Sequence, residues 1–151
     1  MDRTTCNPLL DAGGLPRFDD MTADHVMPAV KQLLAHCTEL LEQLEATAAP
    51  ARAAMIEPLD EIGRRFERTW GPVQHLFGVK NSPELREAYE AALPQVVEFG
   101  LRARQSEPIY RALKALHSGP DWERLDAAQQ RIITQKQRSA ELAGIGLPPA
   151  E

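Results

Sequence analysis

Two long runs of apolar residues spaced in threes and fours dominate this sequence and leave it few folds. In the first, Val26, Val30, Leu33, Leu34, Cys37, Leu40, Leu41 and Leu44 fall on one stripe of a helix. In the second, Met55, Leu59, Ile62, Phe66, Trp70, Val73 and Phe77 keep the same alternation, as a core-facing seam does. A half-buried strand would show a period of two, and neither run does. An apolar stripe on a helix is buried most simply against another helix, so these runs predict an all-α fold.

Punctuation residues divide the rest. Met1 to Asp20 holds two prolines, a glycine pair and scattered apolar residues, and is expected to form an extended arm. Residues 21–151 are expected to form a single helical domain. Its first helix starts near Thr22 or Asp24 and is broken by Ala48-Ala49-Pro50. The second runs from about Met55 to Phe77, with a kink expected near Thr69 to Gly71 because Pro72 lacks a backbone donor. The third has the clearest start: Ser82 as cap, Pro83 at the first helical position and Glu84 on the positive end of the dipole. It should continue to about Arg104, with a second kink at Pro94. Ser106 is expected to cap a fourth helix carrying Ile109, Leu113 and Leu116, which ends at Ser118-Gly119-Pro120. Asp126 and Gln129 form a capping-box pair opening a fifth, with Ala128, Ile132, Ile133 and Leu142 as its apolar residues and Gly144 as its stop. The expectation is a bundle of about five helices whose core includes Val30, Leu33, Leu40, Ile62, Phe66, Leu85, Ala92, Ile132 and Leu142.

Composition narrows function by exclusion. With 151 residues the chain is long enough to bury a core. A net charge of −5 offers no field to attract a phosphate backbone, and the basic cluster Arg64, Arg65 and Arg68 is interrupted by Glu67, so it reads as a solvated face. Nucleic acid is not an expected partner. No apolar run approaches the ~20 residues of a membrane helix, and the amino terminus carries no secretory signal pattern. Cys6 and Cys37 then read as free thiols, and the expected compartment is the cytoplasm.

Ordered blocks along the chain carry a resemblance. Asn7-Pro8-Leu9-Leu10 is followed by Leu15-Pro16-Arg17-Phe18, then by Asp24-His25-Val26-Met27-Pro28-Ala29-Val30. The segment GPVQHLFGVKNSPELREAYEAALP, Gly71 to Pro94, comes next, and Glu141-Leu142-Ala143-Gly144-Ile145-Gly146-Leu147-Pro148 closes the series. In order and spacing these blocks resemble the amino-terminal region of oligopeptidase A, in the thimet-oligopeptidase family of zinc metallopeptidases. The match is poor between Ala46 and Glu57 and loose from Gly119 to Glu123. The resemblance implies helices facing a metal domain across a deep channel that admits short peptides. The family's zinc is held by an H-E-x-x-H helix lying far downstream of this region, so no catalytic or metal role is carried onto any residue here.

The residues themselves agree with that expectation of no catalytic, cofactor-binding or metal site. A zinc-peptidase helix needs two histidines one turn apart with a Glu beside the first. His25, His36, His75 and His117 are dispersed. His36 and Cys37 are adjacent and point about 100° apart on a helix, which prevents joint chelation. Cys37 reads as a small apolar residue on the Leu33–Leu40 stripe, the alternative being a composite metal site with a distant histidine. His75 reads as a half-buried histidine hydrogen-bonded near the end of the second helix, the alternative being a polar group facing the channel. Asp19-Asp20, Asp60-Glu61 and Glu42 with Glu45 read as solvated faces, because no nucleophile accompanies them. Tyr89 shares a helix face with Leu85 and Leu93 and reads as core. Gly13-Gly14 follows no strand and is no phosphate loop.

Two functions remain. One is the opening piece of an oligopeptidase-A-like enzyme, as a truncated gene product or an experimental fragment, inactive alone and completed by the missing catalytic part. The alternative is a stand-alone helical module that binds a peptide, a protein or a second copy of itself. Val79, Val97, Leu101 and Ile145 lie outside the main stripes and are the apolar residues expected on an open surface, where self-association would begin.

Overall fold

The computed structural model describes residues 7–11, 13–49 and 51–145. They contain five α-helices and no strand. Helix α1 is Ala23–Ala46, α2 Arg52–Val79, α3 Pro83–Arg104, α4 Glu107–Ser118 and α5 Ala127–Leu142. Three short 3₁₀ turns occupy Pro8–Leu10, Phe18–Asp20 and Trp122–Arg124. The two seams read from the sequence are the two longest helices, and α2 remains helical through Pro72.

The described residues gather into two compact units. The first takes in residues up to Thr38 together with Ile62–Glu98. It buries Leu9 of the arm, Val26, Ala29, Val30, Leu33 and Cys37 of α1, Ile62, Trp70, Val73 and Leu76 of α2, and Leu85 and Ala92 of α3. The arm is tied down by Asn7, whose Nδ2 donates to the carbonyl of His25 (2.8 Å) while its Oδ1 accepts from the Leu9 N–H (3.0 Å). Tyr89 stacks between Trp70 (5.0 Å) and Phe77 (4.1 Å), so its ring packs as the helical spacing indicates. At the start of α3, Ser82 Oγ accepts from the Leu85 N–H at 3.2 Å, the expected cap.

The second unit comprises Glu39–Glu61 and the chain from Phe99 onward. Leu41, Leu44, Met55, Phe99, Ile109, Leu113, Leu116, Leu125, Ile133 and Ala140 form its apolar interior. Helices α4 and α5 pack on each other. The start of α5 is a complete capping box: the Gln129 N–H donates to Asp126 Oδ1 (2.9 Å) and the Asp126 N–H to Gln129 Oε1 (3.1 Å). Its end is a Schellman closure, in which Gly144 at φ +100° lets the Ile145 N–H reach Ala140 O and the Gly144 N–H reach Glu141 O.

Six expectations need correction here. Ile132 and Leu142 are not core: they are 39% and 81% exposed, and α5 buries Ile133, Gln137 and Ala140 instead. A step of four then three from Ile133 defines that face, about 100° round the helix from Ile132. Leu40 and Phe66 are half-buried. Ser106 stands at the cap position of α4, but its hydroxyl makes no cap bond and is buried without a partner. Val79, Val97 and Leu101 are exposed as expected, whereas Ile145 is half-buried.

Candidate functional site

Each histidine is placed by local structure. At the start of α1, His25 Nδ1 accepts from the Thr22 N–H at 3.1 Å, with the Thr22 hydroxyl 3.0 Å away. His36 is half-buried beside the fully buried Cys37. His75 is exposed, not half-buried, and its ring lies 5.1 Å from that of Phe18. Position 75 falls off the α2 seam, which turns Val73 and Leu76 inward.

The arrangement that the sequence did not reveal is around His117 in the second unit. Its Nδ1 is 2.8 Å from Oε1 of Gln137, and its ring stacks on Trp122 at 4.1 Å. Gln137 is buried, so the pair satisfies a polar group hidden between α4 and α5. Hydropathy could not find it, because a buried glutamine counts as polar in any pattern. Nearby, Tyr110 Oη donates to Glu141 Oε1 at 2.9 Å, and this bond holds the phenol's proton and raises its pKa.

Members of two of the acidic pairs face arginines. Glu42 and Glu45 both face Arg102, at 3.7 and 3.3 Å, and Asp20 and Asp11 hold Arg17 at 3.1 and 3.4 Å. Such exposed pairs contribute little, ~0.2–1 kcal/mol each. An open groove of about 590 Å³ lies at the start of α3, lined by Asn81, Ser82, Pro83, Arg86, Glu87 and Glu90. Glu84, beside it, is held below the usual carboxylate range by a backbone hydrogen bond and by Ser82. No metal-ligand cluster lies there among the described residues, and the groove is open to solvent rather than an enclosed pocket.

Lys136 on α5 is a perturbed cation. Burial lowers its pKa, and the Asp60 carboxylate opposes that shift. A base whose folded pKa is depressed binds its proton more readily when unfolded, so this group costs stability at neutral pH and the cost fades as pH rises through the alkaline range. Lys136→Met keeps the aliphatic stem and removes the charge. It is expected to gain roughly 0.5 kcal/mol at neutral pH and to lose the alkaline rise. Thermal melts of both proteins at neutral and alkaline pH check this, and a variant less stable than the parent at neutral pH would refute it.

Zinc does not fit these side chains. Among the described residues no three His, Cys, Asp or Glu groups converge. What the chain shares with known proteins lies in its whole length. Residues 30–151 match the family model described as "Neurolysin/Thimet oligopeptidase, N-terminal domain". This chain belongs to the thimet oligopeptidase family. It carries the amino-terminal region of an oligopeptidase A, and two plant relatives and a bacterial one support that placement. Over 146 residues it is 42% identical to the probable cytosolic oligopeptidase A of Arabidopsis thaliana, covering 97% of this chain and 21% of that protein. It is 43% identical over 141 residues to the organellar (chloroplastic/mitochondrial) oligopeptidase A of the same plant, covering 93% of this chain and 18% of the relative. Oligopeptidase A of Escherichia coli K12 is 41% identical over 143 residues, covering 94% of this chain and 21% of that enzyme. The chain thus spans about a fifth of the length of the curated relatives it matches. No helix among the described residues is long and apolar enough to cross a membrane.

Proposed function

We propose that this chain is the opening helical segment of an oligopeptidase-A-like zinc peptidase of the cytoplasm, and that it is inactive in peptide hydrolysis by itself. The observation that carries the reading is a match over 97% of the chain to about a fifth of a peptidase. In this role the helices form part of the wall that restricts access to short, unstructured peptides. Zinc and the catalytic acid–base group belong to the remainder of the enzyme, because this sequence has no H-E-x-x-H and its described residues hold no converging donor set.

The test is metal analysis and peptide cleavage on the purified chain, alone and mixed with the separately expressed remainder of a homologous peptidase. The expected result is no stoichiometric zinc and no cleavage alone, with cleavage gained on mixing. One tightly held zinc per chain, lost on replacing Cys37 or a histidine, would overturn the reading. So would cleavage by the chain alone.

A further inference from the structure

Apolar packing holds the last turn of α5 only weakly. Leu142 is 81% exposed, Gly144 is exposed, and Ala143 and Ile145 are half-buried. A Cβ placed on Gly144 would meet nothing within 4 Å. Inside the turn, the Gly144 N–H reaches Glu141 O at 3.0 Å and the Ile145 N–H reaches Ala140 O at 3.1 Å. A helix end with so little apolar cover frays readily, because its last carbonyls have no partners within the helix. Here two side chains from other helices reach it. Gln105, whose own N–H ends α3 on Leu101 O at 2.9 Å, donates Nε2 to Ala143 O at 2.8 Å. Tyr110, in the first turn of α4, donates Oη to Glu141 Oε1 at 2.9 Å. The two donors stand on either side of the α3–α4 junction, and their acceptors share one turn of α5.

We propose that Gln105 and Tyr110 form a clasp that holds the closing turn of α5 as a fixed joint for the part of the peptidase that follows it. This rests on the reading above in one respect, that the remainder of the enzyme is joined on the carboxyl side of α5. The two bonds tie residues 38 and 31 positions apart in sequence, so neither can form in α5 by itself. Gly144, at φ +100°, supplies the left-handed backbone that the turn requires. The same residue is free to leave that conformation, because glycine has no side chain to restrict it. The clasp removes that freedom by gripping a backbone carbonyl on one side of the turn and a carboxylate on the other. Forming either bond orders the turn, so the second closes at a smaller entropic cost and each supports the other. One such bond shifts an opening equilibrium by roughly two- to tenfold.

Amide hydrogen exchange, followed by NMR on the full chain, tests this. Gly144 and Ile145 are the reporters, because their N–H groups bond within the turn and not to the clasp. Gln105→Ala and Tyr110→Phe each remove one donor, and each is expected to speed exchange at both reporters about two- to tenfold. Ile133, in the buried interior, is expected to exchange as in the parent. A second measurement separates a clasp from two unrelated bonds. The bond to Glu141 holds the Tyr110 phenol proton above the ordinary tyrosine range. Gln105→Ala touches neither group, yet it is expected to move the Tyr110 titration, read from its ring-carbon signals, down toward that range. Reporters that exchange in the parent as fast as in an unstructured peptide overturn the proposal. So do single variants that exchange like the parent or speed Ile133 by the same factor, and so does a Tyr110 titration that Gln105→Ala leaves in place. All of this is measured on the chain alone, so its failure leaves the peptidase reading standing, and a lack of cleavage on mixing leaves the clasp standing.

Discussion

Replacing Trp70 by Ala is expected to destabilise the chain by about 3–5 kcal/mol, the largest loss at any single aromatic position. Trp70 is buried in the first unit, and its ring lies in a near-parallel stack with Tyr89, 16° between planes, which in turn stacks on Phe77. Truncation removes the apolar area, leaves a cavity beside Tyr89 and ends one aromatic pair worth about 0.5–1.5 kcal/mol beyond its area. Total stabilities are typically about 5–15 kcal/mol, so much of the folded population is at risk. Phe66→Ala is the control. Phe66 belongs to the same sequence seam but is only half-buried, and its replacement should cost about half as much. Denaturant melts of the two variants decide the matter. A smaller loss at Trp70 than at Phe66 would mean that the stack is not part of the packed interior.

The difference between those two positions shows what periodicity can resolve. A spacing of three and four fixes which side of α2 faces inward, yet it does not say which members of the seam meet a neighbour. Where apolar residues are dense, as on α1, the stripe is broad enough that the inward side is unmistakable, and Val26, Val30, Leu33, Cys37, Leu41 and Leu44 are all buried. Helix ends were legible where backbone chemistry demanded particular residues: Ser82-Pro83 opening α3, Asp126 with Gln129 opening α5, and Gly144 closing it. Ser106 offered the same signal and yields no cap bond, because its hydroxyl is enclosed where no donor reaches it. The family was legible in ordered blocks rather than in any site. The stacked His117–Trp122 pair was illegible for a different reason: it depends on the turn at Trp122–Arg124 bringing a ring back over α4, which no pattern along one helix encodes.

The register of α5 gives the second large effect, since the sequence offers adjacent isoleucines and only one can face inward. Ile133 is fully buried in the second unit, whereas Ile132 is 39% exposed. Ile133→Ala is therefore expected to cost about 2–5 kcal/mol, by lost transfer energy and by the cavity left against α4. Ile132→Ala is expected to fall within about 0.5 kcal/mol of the parent, because lost contact is offset by alanine's better helix propensity. Hydropathy alone cannot choose between them. The choice is made by Gln137 and Ala140, which continue the face of Ile133: Ala140 allows close approach, and Gln137 gives its carbonyl oxygen to His117 on α4. A polar residue thus marks the inward face and an apolar one the outward face, the reverse of the usual pattern. Paired urea melts on the two variants test it. Equal losses, or a greater loss at Ile132, would rotate α5 by about 100° and remove the Gln137–His117 contact from the account of this fold.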